Sequence, residues 1–305
     1  MIRLVRSELL RARSRRLVWL LPLLAVGGMV IGIVIGAVNS HPPSAGELAG
    51  AQQAYEQQLD RCLRGRFVPE DQLPPEYPDL EAFCRDQVRP EYYESGQGLR
   101  LSGLNGLIQG LATLTVVVGM VIAASLIGAD WSAGTMATLL TWEPRRVAVF
   151  AVRAVVVAVV VFVVAVVLLA LFAVLFWAAV ALRGTSAGSD AWLGEVAGSV
   201  LRIGFVAALF GLFVFALSSI GRSTAAGLGI MLGEVVLVEG FLRGFRPSLE
   251  RWLALSNAVI VVSGERQVDF GMNTASPAGA TLTLGAYVAA GLVIAALAFR
   301  ARDVS

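Results

Sequence analysis

The sequence predicts an all-α membrane protein. Six transmembrane helices follow an N-terminal interfacial helix, and an extracytoplasmic subdomain lies between helices 1 and 2. Three observations predict this. Of 305 residues, 57% are hydrophobic and 15% charged, against about 45–50% and about 25% in soluble domains. Six apolar runs, at 17–38, 104–127, 155–182, 196–220, 224–242 and 278–299, are each long enough to cross a hydrocarbon core of about 30 Å. Residues 1–16 hold six Arg against Glu8 alone, a net of +5, and such flanks stay cytoplasmic.

The elements follow in order. Residues 1–16 alternate Arg with Ile2, Leu4, Val5, Leu9 and Leu10, the pattern of a basic amphipathic helix in the inner interface. The run 17–38 is TM1. It exceeds the h-region of a signal peptide and reads as a retained anchor. It carries Gly28, Gly32 and Gly36 at four-residue spacing, a row that lets helix backbones approach closely. Gly106/Gly110 and Ala225/Gly229/Gly233 repeat the device.

With the N-terminus inside, residues 39–102 lie outside, with six Arg and eleven acids. Helices are expected at Ala51–Arg64 and Leu80–Val88. The segment holds both cysteines, Cys62 and Cys84. An even pair in the oxidising compartment predicts a disulfide. A zinc site needs four ligands, and His41 is the chain's single histidine, so no metal site is expected.

TM2 is 104–127, followed by a polar cytoplasmic segment, 128–154. Asn105, Gln109 and Thr113 fall at i, i+4 and i+8, on one face of TM2. The apolar run Val147–Leu182 would be about 54 Å long as a helix. Its beginning is expected at the inner interface, where Arg153 snorkels, with TM3 at 155–182. TM4 is 196–220 and TM5 is 224–242.

Glu234 and Glu239 in TM5 are expected about 140° apart on an α-helix, facing different neighbours. Glu239 is four residues before Arg243, the spacing of a helical ion pair. Asn105, Gln109, Thr113 and Glu234 are the candidates for a polar pathway, since intramembrane polar groups normally face a cavity or bundle interior. The link 243–277, in which Pro247 can open a helix, reads as an extracytoplasmic re-entrant or interfacial helical pair. TM6 is 278–299, and residues 300–305 form a cytoplasmic tail.

All 24 basic residues are Arg. A phosphate-binding P-loop uses a Lys on the β- and γ-phosphates, and the nearest imitation, Gly221-Arg222-Ser223-Thr224, lacks the upstream Gly. No catalytic set is present, which disfavours a polytopic membrane enzyme. No nucleic-acid partner is expected. A cofactor is not expected on this chain.

The stretch Gly128–Arg153 is acid, Gly-Thr, Leu pair, Pro-x-Arg, then a cation in the next apolar run. Asp130, Gly134, Thr135, Leu139, Leu140, Pro144, Arg146 and Arg153 carry that order. It resembles the cytoplasmic coupling segment of type-2 ATP-binding-cassette transporter permeases, many of them exporters. Asp130 stands where Glu is usual there, and Arg153 where Lys is usual. The tail, Phe299-Arg-Ala-Arg-Asp-Val, resembles that family's ending.

The resemblance implies a non-catalytic permease subunit in the plasma or inner membrane, with both termini cytoplasmic. It implies a coupling helix presenting Thr135, Met136, Leu139 and Leu140 to an ATPase, with its ends fixed by Asp130 and Arg146 through pairing with each other or with the partner. Two ATPase chains, holding ATP and Mg, and a second permease chain, identical or paralogous, are the implied partners. In that family the N-terminal helix touches the ATPase, crossings two and five line the path, and the link before the last crossing closes the outer mouth. The reading from another class is a non-transporting scaffold or sensor with an extracytoplasmic ligand or partner module.

Overall fold

A computed structural model describes residues 2–39, 44–65, 77–88, 101–135, 145–183, 192–245, 247–264 and 276–301. Among these residues every regular element is helical. Six helices are long and apolar enough to cross a membrane: Arg16–Asn39, Leu104–Ser132, Arg146–Leu182, Leu193–Gly221, Thr224–Leu242 and Pro277–Ala301. They mark a multi-pass membrane protein, and each overlaps one expected crossing.

In chain order the helices are α1 (Ile2–Ser14) and α2 (Arg16–Asn39), then α3 (Ala45–Leu63) and α4 (Leu80–Gln87). The second apolar helix breaks at Leu111 into α5 (Leu104–Gly110) and α6 (Ala112–Ser132). Next come α7 (Arg146–Arg183), α8 (Trp192–Gly221) and α9 (Thr224–Gly233), which continues through a π-helical turn, Glu234–Glu239, into α10 (Gly240–Phe245). A 3₁₀ turn at Pro247–Trp252, α11 (Ala254–Ser263) and α12 (Pro277–Ala301) complete the order. As expected, α7 outruns a bilayer: 38 residues at about 1.5 Å each give about 57 Å.

The chain forms two compact units. The first comprises residues 1–31, 102–176 and 188–305. Its core is apolar: Ile122, Val161, Leu169, Ile203 and Phe215 are buried. Four rings form a chain across one end. Trp131 meets Phe299 edge-on at 6.1 Å, Phe299 meets Phe150 at 5.8 Å, and Phe150 meets Phe215 at 5.2 Å. Offset and edge-on ring pairs each add about 0.5–1.5 kcal/mol beyond the area they bury, so this end of α6, α7, α8 and α12 is tied together.

Close backbone approach depends on glycines other than those of the expected rows. A Cβ on Gly128 would lie about 2.3 Å from the Thr224 nitrogen and hydroxyl. One on Gly227 would collide with Ser218, and one on Gly119 would stand 2.7 Å from Val161. By contrast, Gly28, Gly32, Gly106, Gly110, Gly229 and Gly233 meet nothing within 4 Å. The four-residue spacing marks these rows, but among the described residues nothing approaches these six glycines closely.

The second unit comprises residues 32–101 and 177–187. Ser44 starts α3 with a capping box, its hydroxyl accepting from the Glu47 N–H while the Glu47 carboxylate accepts from the Ser44 N–H. Asp79 caps α4 by accepting from the Ala82 N–H. Cys62 and Cys84 form a disulfide with their Cα atoms 5.7 Å apart. Buried Val88 packs with them beneath Tyr55, Leu59, Leu80 and Phe83. A pair of short helices has little core of its own, and a cross-link supplies what apolar area cannot.

Candidate functional site

The first unit holds two candidate sites, a buried charge cluster and an apolar cavity with one acid on its wall. The first surrounds Asp130 in the last turn of α6. Three guanidinium groups converge on its carboxylate. Arg15 pairs with Oδ1, Arg153 reaches Oδ2 at 2.8 Å, and Arg11 lies at 3.7 Å. Glu8 completes the knot, accepting from Arg153 at 3.2 Å and from Arg11 at 3.1 Å. Arg15 also donates to the Ser125 carbonyl at 2.6 Å. Asp130 and Arg153 are each 4% exposed and Glu8 is 7% exposed.

Helical spacing makes this arrangement possible. Glu8, Arg11 and Ala12 recur three and four residues apart on one stripe of α1, and Arg15 follows in the link to α2. That stripe faces the bundle, with Ala12 buried, while Leu9 and Leu10 on the other side are exposed. Desolvated ions persist only when paired and hydrogen-bonded, so Glu8 and Asp130 account for Arg153 in an apolar run. Arg153 therefore does not snorkel. The carboxylate of Asp130 is engaged by Arg11 of α1, Arg15 in the link to α2 and Arg153 of α7, rather than by Arg146.

Beyond Asp130 the chain turns. Gly134 has φ +68°, a left-handed conformation that suits glycine. The Thr135 hydroxyl donates to the Asp130 carbonyl at 3.3 Å. On the same side the Arg222 guanidinium lies 5.0 Å from the Trp131 ring centroid. Arg222, with φ +52°, forms the tight connection between α8 and α9. Arg146 begins α7. Met136, Leu139, Leu140 and Pro144 lie outside the described residues.

The second construction is an apolar cavity of about 440 Å³. Phe210 and Phe213 of α8, Met231 of α9, Glu234, Trp252 and Tyr287 stand on its wall. Glu234 is the single charged residue among the described wall residues, and its Oε2 is buried without a hydrogen-bond partner among the described residues. The π-helical turn changes the geometry expected of the two acids. Hydrogen bonding from i to i+5 brings residues five apart to one face, so Glu234 and Glu239 are neighbours. Glu239 is 1% exposed, and its Oε1 accepts from the Leu255 N–H at 2.7 Å. It thereby satisfies one of the free amides that open α11. The Arg243 side chain lies outside the described residues.

The wall between the 3₁₀ turn and α11 is stitched further. Asn257 Nδ2 donates to the Arg251 and Leu253 carbonyls at 2.9 and 2.7 Å. The Tyr287 hydroxyl donates to the Trp252 carbonyl at 2.6 Å. Pro247 begins the 3₁₀ turn, so the expected helical pair has one 3₁₀ member.

The four pathway candidates are not gathered into one site. Asn105 is half-buried and accepts from the Ser199 hydroxyl at 2.7 Å, which itself accepts from Arg202 at 3.1 Å. Gln109 is half-buried, Thr113 is exposed, and only Glu234 reaches the cavity. Sequence reasoning missed Glu8, Arg11 and Arg15 as site residues. The available signal was a lone acid in a cationic helix, with cations three and seven residues beyond it.

Among the described residues, no cluster of His, Cys, Asp or Glu could hold a metal ion. No family model, curated protein or solved structure matches this chain.

Proposed function

We propose that this chain is the transmembrane permease subunit of an ATP-driven exporter of the type-2 ATP-binding-cassette kind. The observation that carries the reading is the buried knot around Asp130. It joins the N-terminal helix and the start of α7 to the residue that heads the family-like segment Asp130–Arg146. A stroke delivered to that segment would act on three helices at once, because charges paired out of water resist separation. The aromatic chain from Trp131 to Phe215 and the Arg222–Trp131 contact extend the tie to α8, α9 and α12.

In this reading two ATPase chains, which hold the ATP and Mg, dock on the coupling segments of two permease chains, identical or paralogous. The open glycine rows on α2, α5 and α9 suit the second chain, since small residues let helices approach closely in lipid. Substrate passes outward between the two permeases. The protein sits in the plasma or inner membrane with both termini cytoplasmic, and the disulfide-closed helix pair lies outside.

The test is purification of the native complex in mild detergent, followed by mass spectrometry and an ATPase assay. A separate nucleotide-binding chain is expected. In reconstituted vesicles, Thr135→Trp and Arg146→Glu should leave assembly intact but lower export per ATP hydrolysed. Absence of an ATPase partner, or full coupling in both variants, refutes the reading. A membrane scaffold or sensor draws support from the disulfide-closed helix pair as a partner module, and predicts that no ATPase is recovered.

A further inference from the structure

We propose that the cavity walled by α8, the π-helical turn, the 3₁₀ turn and α12 binds a hydrophobic organic cation, with its charge at Glu234. Three observations support this. The space, about 440 Å³, lies in the range of about 300–1,000 Å³ typical of small-molecule sites. Its wall is apolar and rich in rings, with Phe210, Phe213, Trp252 and Tyr287 all facing it. Aromatic faces attract cations within about 6 Å. The described wall carries one ionisable acid, Glu234, whose Oε2 is buried without a hydrogen-bond partner among the described residues and whose carboxyl group lies beside that of Glu239.

Two polar groups nearby are committed elsewhere. Glu239 Oε1 caps α11, and the Tyr287 hydroxyl proton goes to the Trp252 carbonyl. The Arg251 guanidinium stacks 5.5 Å from the Trp252 centroid, and Arg251 is not a wall residue. A ligand with an apolar body and one positive charge satisfies both features of the wall. An anion of the same shape meets the adjacent carboxyl groups of Glu234 and Glu239 unfavourably, and a neutral apolar ligand makes no use of them.

This proposal goes beyond the exporter reading and does not depend on it, because binding needs neither nucleotide nor a second chain. The experiment uses the purified full chain in neutral maltoside micelles. Equilibrium binding is measured for radiolabelled tetraphenylphosphonium and for tetraphenylborate, which matches it in shape with opposite charge. Saturable phosphonium binding is expected, at least tenfold tighter than borate binding. Glu234→Gln should lower phosphonium affinity at least tenfold and narrow the difference between the two ions.

Location is tested independently with Val238→Cys. Val238 is a wall residue, and phosphonium should slow modification of the introduced thiol by a methanethiosulfonate reagent. If Glu234→Gln fails to fold, the charge preference together with this protection decides the matter. Equal affinity for the two ions, unchanged affinity in folded Glu234→Gln, or no protection at position 238 each overturns the proposal.

Discussion

Replacing Asp130 by Asn tests the knot most directly. In the intact protein two carboxylates, Asp130 and Glu8, serve three guanidinium groups. The substitution keeps shape and removes one negative charge, leaving Arg11, Arg15 and Arg153 to share Glu8. The side chains of Arg11 and Arg15 are 37% and 19% exposed, so water can compensate them in part. Arg153, at 4% exposure, has no such recourse and carries most of the loss.

Removing one partner of a buried ion pair costs about 3–5 kcal/mol. The lower bound, at about 1.36 kcal/mol per decade, corresponds to roughly a hundredfold rise in the population with α1 detached. Hydrogen exchange of the α1 amides reads that population, because local opening sets their protection. Exchange in α1 should accelerate by two orders of magnitude in Asp130→Asn, while the amides of α8 keep their rate. Glu8→Gln should behave similarly, and the double variant should cost less than the sum of the two, since the residues share partners. Unchanged protection of α1 in both single variants refutes the claim that the knot holds the helix.

Cys62→Ser should destabilise the α3–α4 pair by about 3 kcal/mol for a loop of 22 residues, seen as faster proteolysis within 44–88; non-reducing peptide mapping should recover the linked pair. Gly128→Ala should lower the melting temperature, at a cost of about 1–3 kcal/mol for overpacking against Thr224, whereas Gly229→Ala should be neutral for the isolated chain. Glu239→Leu should speed exchange of the first amides of α11 by removing the acceptor for the Leu255 N–H, while Glu239→Gln, which keeps an acceptor oxygen, should leave them slow.

The six long apolar helices were legible because length and hydropathy act locally: a run of about 20 apolar residues is long enough to span a bilayer. The disulfide was legible because two cysteines allow one pairing. The knot was not, since Glu8 and Arg153 are 145 residues apart and no local pattern links them. Arg153 alone was visible, and snorkelling was the local answer available to it. The glycine rows show a different limit. Spacing identifies a surface fit for close approach, but which surface is used depends on helix rotation, and Gly119, Gly128 and Gly227 stand outside the rows. The two acids of TM5 were misplaced because α-helical periodicity was assumed through Glu234–Glu239, where the helix widens to a π turn.

The span between Glu8 and Arg153 also orders events during synthesis. Translation proceeds at about 5–20 residues per second, so about 7–30 s separate the emergence of Glu8 from that of Arg153. Until Asp130 emerges, 122 residues after Glu8, α1 has no permanent place, and its cations are accompanied by one carboxylate. Two hydrophobic helices and the disulfide-closed pair are made before the N-terminal helix can settle. Its docking is therefore a late step that reports completion of the first half of the molecule. A quality-control protease that recognises a loose N-terminal helix would distinguish nascent or truncated chains from finished ones.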